Sequence, residues 1–280
     1  MNKQFATRPE AGPVSEGLER VRSSWTSQSP REKVGVTERY VIFGEARTWM
    51  LSQLQLLRHN LILDVGFGHG FLSFETALAT AVHVVGIDSL GGEQVKIAIG
   101  GQRISNLAMR ISWVVGNAGM MPFQSMKFDA VISFNTLQDV VMTGGEHMLT
   151  RVLEESLRVL RPGGVLGFAD NAYPESAQRE SQKLYELIQR KEFGARLPSI
   201  RVIAEELEHQ GLADLTELRY DPNISLDERE AKIELKDIVE ARPFGKVFNF
   251  RTLWQIYAKR ITDTGLSYPD VLLITGKRKE

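Results

Sequence analysis

The sequence predicts an α/β fold, a mostly parallel sheet with helices on both faces. Three observations predict it. Short apolar stretches alternate with helical ones between residues 61 and 170. A glycine-rich turn follows the first apolar stretch directly. The run Leu160-Arg161-Pro162-Gly163-Gly164 ends a helix and turns the chain into another strand.

Taken in order, residues 36–57 read as a helix, with Tyr40, Phe43, Trp49, Leu51, Leu54 and Leu57 at mixed three- and four-residue intervals. Strands are expected at 61–65, 82–88, 111–116, 128–134 and 165–170. A helix over about 146–160 places Leu149, Leu153, Leu157 and Leu160 on one face. Beyond Asp170 the regular spacing breaks. Helices are expected at 174–194, 199–210 and 225–241, and around Phe250, Leu253, Trp254, Tyr257 and Ile261; strands are expected at 214–220 and 270–276.

Composition narrows the function. At 280 residues the chain suits one large α/β domain with insertions, or one domain with a small appendage. Lys plus Arg (34) nearly balances Asp plus Glu (35), so no summed field draws the protein to nucleic acid or an anionic membrane, and a small-molecule partner is expected. The absence of cysteine excludes disulfides, cysteine nucleophiles and thiolate zinc sites, and the five histidines have no metal-ligand spacing. No metal is expected. No run reaches the roughly 18 apolar residues of a membrane helix. The first 33 residues lack the apolar core of a signal peptide, so the expected location is cytoplasmic. Residues 1–35 read as a flexible or lid segment, and 36–280 as the principal domain.

Leu61-Ile62-Leu63-Asp64-Val65-Gly66-Phe67-Gly68-His69-Gly70 places the glycine turn after a strand and before a helix starting near Phe71. Glycine permits backbone angles and close approach that a side chain would block, and the helix N-terminus offers free N–H donors to an anion such as an amino-acid carboxylate. The third glycine falls one residue early for a dinucleotide fingerprint, which weakens a nicotinamide reading. Asp64, at the strand end, can accept bonds from an ammonium group or hold the loop.

The stretch from Asp64 to Gly70 resembles the first motif of class I S-adenosylmethionine-dependent methyltransferases, and the likeness continues in order. Val84-Val85-Gly86-Ile87-Asp88 ends a second strand with an acid 22 residues after Gly66. Gly116-Asn117-Ala118 with Met121-Pro122-Phe123, then Phe128-Asp129-Ala130-Val131-Ile132-Ser133, then Arg158-Val159-Leu160-Arg161-Pro162-Gly163-Gly164 look like the family's adenine-side, fourth-strand and post-helix motifs. The resemblance implies a Rossmann-like, doubly wound, seven-stranded sheet and the cofactor S-adenosylmethionine, with S-adenosylhomocysteine as product. Gly66, Gly68 and Gly70 would line the methionine portion, and Asp88 would take both ribose hydroxyls in charge-assisted bonds of about 1.5–3 kcal/mol each. Asn117 would face the adenine amine through its amide oxygen. Asp64, Phe67, Ser89, Ala118, Ser133 and Phe134 complete the expected cofactor site.

Methyl transfer from a sulfonium is a direct displacement, and a general base is needed only for a hydroxyl or carbon acid. In this fold, ligands lie at the carboxyl edge of the sheet. That edge selects Phe134, Asn135, Gln138, Asp139, His147, Asp170, Asn171 and Tyr173, of which His147, Asp139, Asp170 and Tyr173 are candidate catalytic groups. His147 equally reads as a surface or capping residue, and Asp139 as a helix cap. Asp170-Asn171 resembles part of the magnesium site of catechol-type O-methyltransferases, but Phe134-Asn135 stands where a third carboxylate belongs.

The insertions at about 174–195 and 222–262, with the cluster Phe244, Phe248, Phe250, Trp254 and Tyr257, exceed what the basic fold needs. They read as extra core, a dimer contact or a lid over an apolar acceptor site, as in the quinone-methyltransferase-like branch. Arg242, Lys246 and Arg251 could meet an acidic group on the substrate. The reading is transfer of a methyl group to a small molecule, at an O, N or C atom. An RNA or protein methyltransferase and a non-catalytic S-adenosylmethionine-binding subunit are the alternatives.

Overall fold

The computed structural model describes residues 34–54, 56, 61–80, 82–89, 91, 93–104, 106–171, 177–195, 199–241 and 249–280. The segment 1–33, Tyr173, Arg242, Phe244, Lys246 and Phe248 lie outside these.

The chain opens with α1 (Val34–Leu54), then β1 (Leu61–Val65), α2 (Phe71–Thr80), β2 (His83–Asp88), α3 (Glu93–Ile104) and β3 (Ile111–Val115). It returns through β4 (Phe128–Phe134), α4 (Leu137–Gly144), α5 (Glu146–Val159) and β5 (Leu160–Asp170). After α6 (Glu180–Phe193) and α7 (Ile200–His209) come β6 (Leu212–Tyr220), β7 (Ser225–Leu226), α8 (Glu228–Ala241), α9 (Phe250–Thr264), β8 (Leu266–Ser267) and β9 (Val271–Arg278).

Seven strands form one sheet in the order β3-β2-β1-β4-β5-β9-β6. The first five run parallel, and β9 lies antiparallel between β5 and β6. The chain winds outward from β1 and then comes back to β4, so the crevice between their carboxyl ends is the topological switch point where such sheets bind ligands.

Strand alternation divides the core. Leu63 and Val65 of β1 and Val131 of β4 pack with α4, α5 and α7 on one face, where Leu149, Leu153 and Leu157 lie as the helical spacing predicts. Ile62, Ala130 and Ile132 pack with α1 and α2 on the other. Asp64 shares the parity of Ile62 and so points toward α2. A bidentate ion pair, Arg47 to Glu75 at 2.9 Å for both bonds and buried at both ends, ties α1 to α2. Trp49 packs on Tyr220 of β6, with ring centroids 5.2 Å apart. Gly167 of β5 lets α1 come close, since a Cβ there would lie 2.5 Å from Leu54. A third cluster joins α6, α8, α9 and β8 and reaches α1 through Phe43, so the two insertions share a core of their own.

Several expectations need correction. The helix expected to reach residue 160 ends at Val159, and β5 begins at Leu160, which pairs with Phe128 across a register shift. Arg161 reaches back to Asp129 at 2.5 Å, so the Pro-Gly-Gly turn is a bulge inside the strand. The helix expected from 225 starts at Glu228, because Asp227 and Glu230 bond each other's backbone N–H in a capping box and free Ser225–Leu226 to pair with β8. The first extra helix begins at Glu180 rather than 174, and β6 begins at Leu212 with a bulge around Asp214, whose φ is +53°. Helix α4 was anticipated only through the reading of Asp139 as a helix cap, and it starts before that residue, at Leu137.

Candidate cofactor and acceptor site

The glycine loop is fixed by backbone bonds: Gly66 N–H donates to Ile87 O at 2.8 Å, and Gly70 N–H to Phe67 O at 2.7 Å. All three loop glycines have positive φ, but their surroundings differ. A Cβ on Gly66 would lie 2.2 Å from Thr136, and one on Gly70 would lie 2.8 Å from Trp113 and 2.9 Å from Phe74. A Cβ on Gly68 would meet nothing within 4 Å. Gly66 and Gly70 are therefore glycines because protein packs on them, whereas only Gly68 turns its missing side chain toward open space. Sequence reasoning gave all three the same role.

Two carboxylates flank the loop. Asp88, at the end of β2 and 8% exposed, accepts Gly68 N–H through Oδ2 at 2.8 Å. One of its oxygens thus already shapes the loop that the ribose reading needs it to serve. Asp64 is 1% exposed; its Oδ2 accepts the Ser73 hydroxyl at 2.6 Å, and its Oδ1 has no hydrogen-bond partner. Burial pushes the Asp64 carboxyl up to about 7, helped by the nearby Asp88 charge and opposed by Ser73 and Arg47.

The Phe67 ring is committed to Trp113, 4.7 Å between centroids, and Trp113 in turn donates its indole N–H to Gln102 at 2.9 Å. On the adenine side, Asn117 is exposed and its Oδ1 accepts Gly119 N–H at 2.8 Å. That oxygen keeps a second lone pair for an amine. Ala118 is half-buried and Ser89 exposed. Arg158 bonds the carbonyls of Met121 and Phe123 while Glu155 accepts Met121 N–H, which explains the Met-Pro-Phe motif as a pinned loop.

At the end of β4, Ser133 is buried and donates to Val65 O at 2.8 Å, a strut between strands. Phe134 is half-buried, its ring 5.8 Å from the Arg47 guanidinium and 5.9 Å from Phe43. Thr136 stands at the N-cap of α4 but does not cap it. Its hydroxyl turns to Gly66 O and Phe134 O, 3.3 Å each. Asp170 caps the helix instead: Oδ2 accepts Leu137 N–H at 2.8 Å and Gln138 N–H at 3.4 Å, and Oδ1 accepts Asn171 N–H at 2.8 Å.

This arrangement redirects the catalytic candidates. Asp170 is 2% exposed and faces a helix end; burial and the neighbouring Asp139 push its carboxyl up to about 7 against the three amides. Asn171 donates to Asp270 O at 3.1 Å, so both side chains of the magnesium-like pair are engaged by protein. Asp139 is exposed in the first turn of α4, not at its cap, and His147 is exposed in the first turn of α5. Gln138 is buried. Sequence reasoning missed Arg47, Trp113 and Thr136, which carry no motif and are brought in only by tertiary packing.

Residues 63–168 match a family model described as a methyltransferase domain. The sheet order and the glycine loop agree with that match and with the resemblance to class I S-adenosylmethionine-dependent methyltransferases that the sequence carries. The chain is 32% identical over 119 residues to O-methyltransferase rstn1 of Aspergillus nomiae, covering 42% of this chain and 50% of that one. It is 27% identical over 143 residues to 2-phytyl-1,4-naphtoquinone methyltransferase of Synechocystis, covering 49% and 57%. The chain thus spans about half the length of the curated relatives it matches. Phosphoethanolamine N-methyltransferase 2 of Haemonchus contortus, solved with phosphomonomethylethanolamine and S-adenosylhomocysteine, superposes with a TM-score of 0.58 at 18% identity. The match covers 97% of this chain and 61% of that one, a likeness of fold.

Proposed function

We propose that this chain transfers a methyl group from S-adenosylmethionine to a small-molecule acceptor. The observation that carries the reading is the loop between two acidic strand ends, where Gly68 opens to free space and Asp64 holds a buried oxygen without a donor. A nucleoside linked to an amino acid offers what these groups lack: hydroxyls for Asp88, an ammonium for Asp64, and a carboxylate for the N-terminal turn of α2. The near-neutral charge of −1 supports a small acceptor over a polyanion. Among the described residues no helix is long and apolar enough to cross a membrane. A cytoplasmic site of action belongs to the same proposal.

When bound, the cofactor supplies an electrophilic methyl on a sulfonium. The chain's own residues would orient and shield. Asp88 would accept ribose hydroxyls while still holding Gly68 N–H, Asn117 Oδ1 would meet the adenine amine, and the packed loop would hold the methyl donor near the ends of β1 and β4. Orientation of this kind supplies about 7–11 kcal/mol toward a displacement. In this reading the insertion helices α6, α8 and α9 would close over the acceptor and exclude water.

Isothermal titration with S-adenosylmethionine and S-adenosylhomocysteine, with NADH as control, tests the reading. Micromolar binding of the two sulfur ligands alone is expected. Binding of neither would sink the cofactor assignment, and binding without turnover on any extract would favour a non-catalytic subunit.

A further inference from the structure

Asn135 follows β4 directly and is the other residue at the switch point with an orphaned buried oxygen: Oδ1 has no hydrogen-bond partner. Its backbone is held in the left-handed region at φ +52°, with its N–H donating to Ala169 O at 2.8 Å. The flanking side chains are pinned too, Phe134 against Arg47 and Phe43, and Thr136 on Gly66. Fold, strand and neighbours therefore hold a bare amide acceptor in place. An unpaired buried polar atom costs about 1–3 kcal/mol, which a ligand donor would recover.

The surroundings restrict the donor. Phe134, Phe43 and Tyr268 form an edge-to-face series, with centroids 5.9 Å and then 5.4 Å apart, leading from β4 to the insertion helices. The cation beside Phe134 is Arg47, and both oxygens of Glu75 already match its charge. The acids Asp139 and Asp170 lie in and behind the first turn of α4. Among the described residues, the cation beside Phe134 is already matched, and an anionic group here would meet the carboxylates of Asp139 and Asp170. An aromatic ring with a neutral hydroxyl would find a wall to pack on and one acceptor to satisfy.

We propose that Asn135 is the specificity-determining residue for the methyl acceptor, its Oδ1 receiving a hydrogen bond from a neutral hydroxyl on an aromatic frame that packs along Phe134 and Phe43. The proposal rests on the methyltransferase reading. It is tested by titrating S-adenosylhomocysteine-saturated protein with 2-naphthol, with 2-methoxynaphthalene, which lacks the donor, and with 2-naphthoate, which is anionic.

The wild type binds 2-naphthol about tenfold more tightly than 2-methoxynaphthalene, equivalent to about 1.4 kcal/mol, and 2-naphthoate more weakly than 2-naphthol. Asn135→Gly, which tolerates the left-handed φ, erases the gap, and Asn135→Asp, which keeps the acceptor, restores it. Affinity for S-adenosylhomocysteine stays within about twofold in both variants. Equal affinity for the naphthol and its ether, no binding of 2-naphthol, or a gap that survives Asn135→Gly would overturn the proposal. So would a loss of S-adenosylhomocysteine affinity in Asn135→Gly, which would turn the amide toward the cofactor. Failure of the wild type to bind S-adenosylhomocysteine at all is a different result, one that removes the methyltransferase reading itself.

Discussion

Gly68→Ala separates cofactor binding from folding. At φ +51° an alanine pays roughly 1–2 kcal/mol for the left-handed backbone. Apart from the adjoining residues, no described atom lies within 4 Å of the new methyl, so no clash across the fold is added. For a chain of this size, about 1 kcal/mol lowers Tm by about 2–4 °C. The methyl does enter the space assigned to the cofactor, and displacing the ligand from its Gly68 and Asp88 contacts costs at least ~2 kcal/mol, about thirtyfold in affinity. Gly66→Ala is the contrast: its Cβ would sit 2.2 Å from Thr136, so it should destabilise the fold by a further ~1–3 kcal/mol through overpacking. Titration calorimetry with S-adenosylhomocysteine and thermal unfolding of both variants supply the two readouts. A Gly68→Ala protein that binds S-adenosylhomocysteine as tightly as the wild type would refute the assignment of the open space.

The remaining predictions concern buried charge. Asp64, pushed up to about 7 from its ordinary 3.8, is protonated in the folded protein where the unfolded chain is already ionised, so its contribution to stability is full below about pH 4 and is lost as pH rises through 7. Asp64→Asn should flatten that part of the stability curve in urea titrations, whereas S-adenosylmethionine affinity of the wild type should rise with pH through 7 as the carboxylate forms; a pH-independent affinity counts against the ammonium contact. Asp170→Ala removes the cap of α4 and should cost about 1–2 kcal/mol in chemical unfolding, and an unchanged midpoint would mean that the helix end finds another acceptor. Arg47→Met leaves Glu75 buried without its partner and should cost about 3–5 kcal/mol, most of it regained in Arg47→Met/Glu75→Leu; equal losses in both would show that packing rather than charge dominates.

The parts of this molecule legible in the sequence are those whose signal is local. The strand, glycine turn and helix from Leu61 to Thr80 occupy one continuous stretch, and β2, β3 and β4 follow within a few residues of their expected bounds. Asp64 and Asp88 were found because they end strands beside that turn. What was not legible depends on distant residues. The start of β5 is set by Arg161 and Asp129 across a bulge, and the β7–β8 pair joins residues 42 apart that show no alternation. Asp170 looks like a free acid at a strand end, and only the fold reveals that it caps α4, which lets Thr136 turn back onto Gly66. The different roles of Gly66, Gly68 and Gly70 follow from Thr136, Trp113 and Phe74 lying against two of them.

The most direct test of the account is a crystal structure of the protein with S-adenosylhomocysteine. It should place the ribose hydroxyls on Asp88, the amino group within reach of Asp64 Oδ1 and the homocysteine chain across Gly68. A ligand bound elsewhere, or one whose ribose turns away from Asp88 while Gly68 stays uncovered, would contradict it.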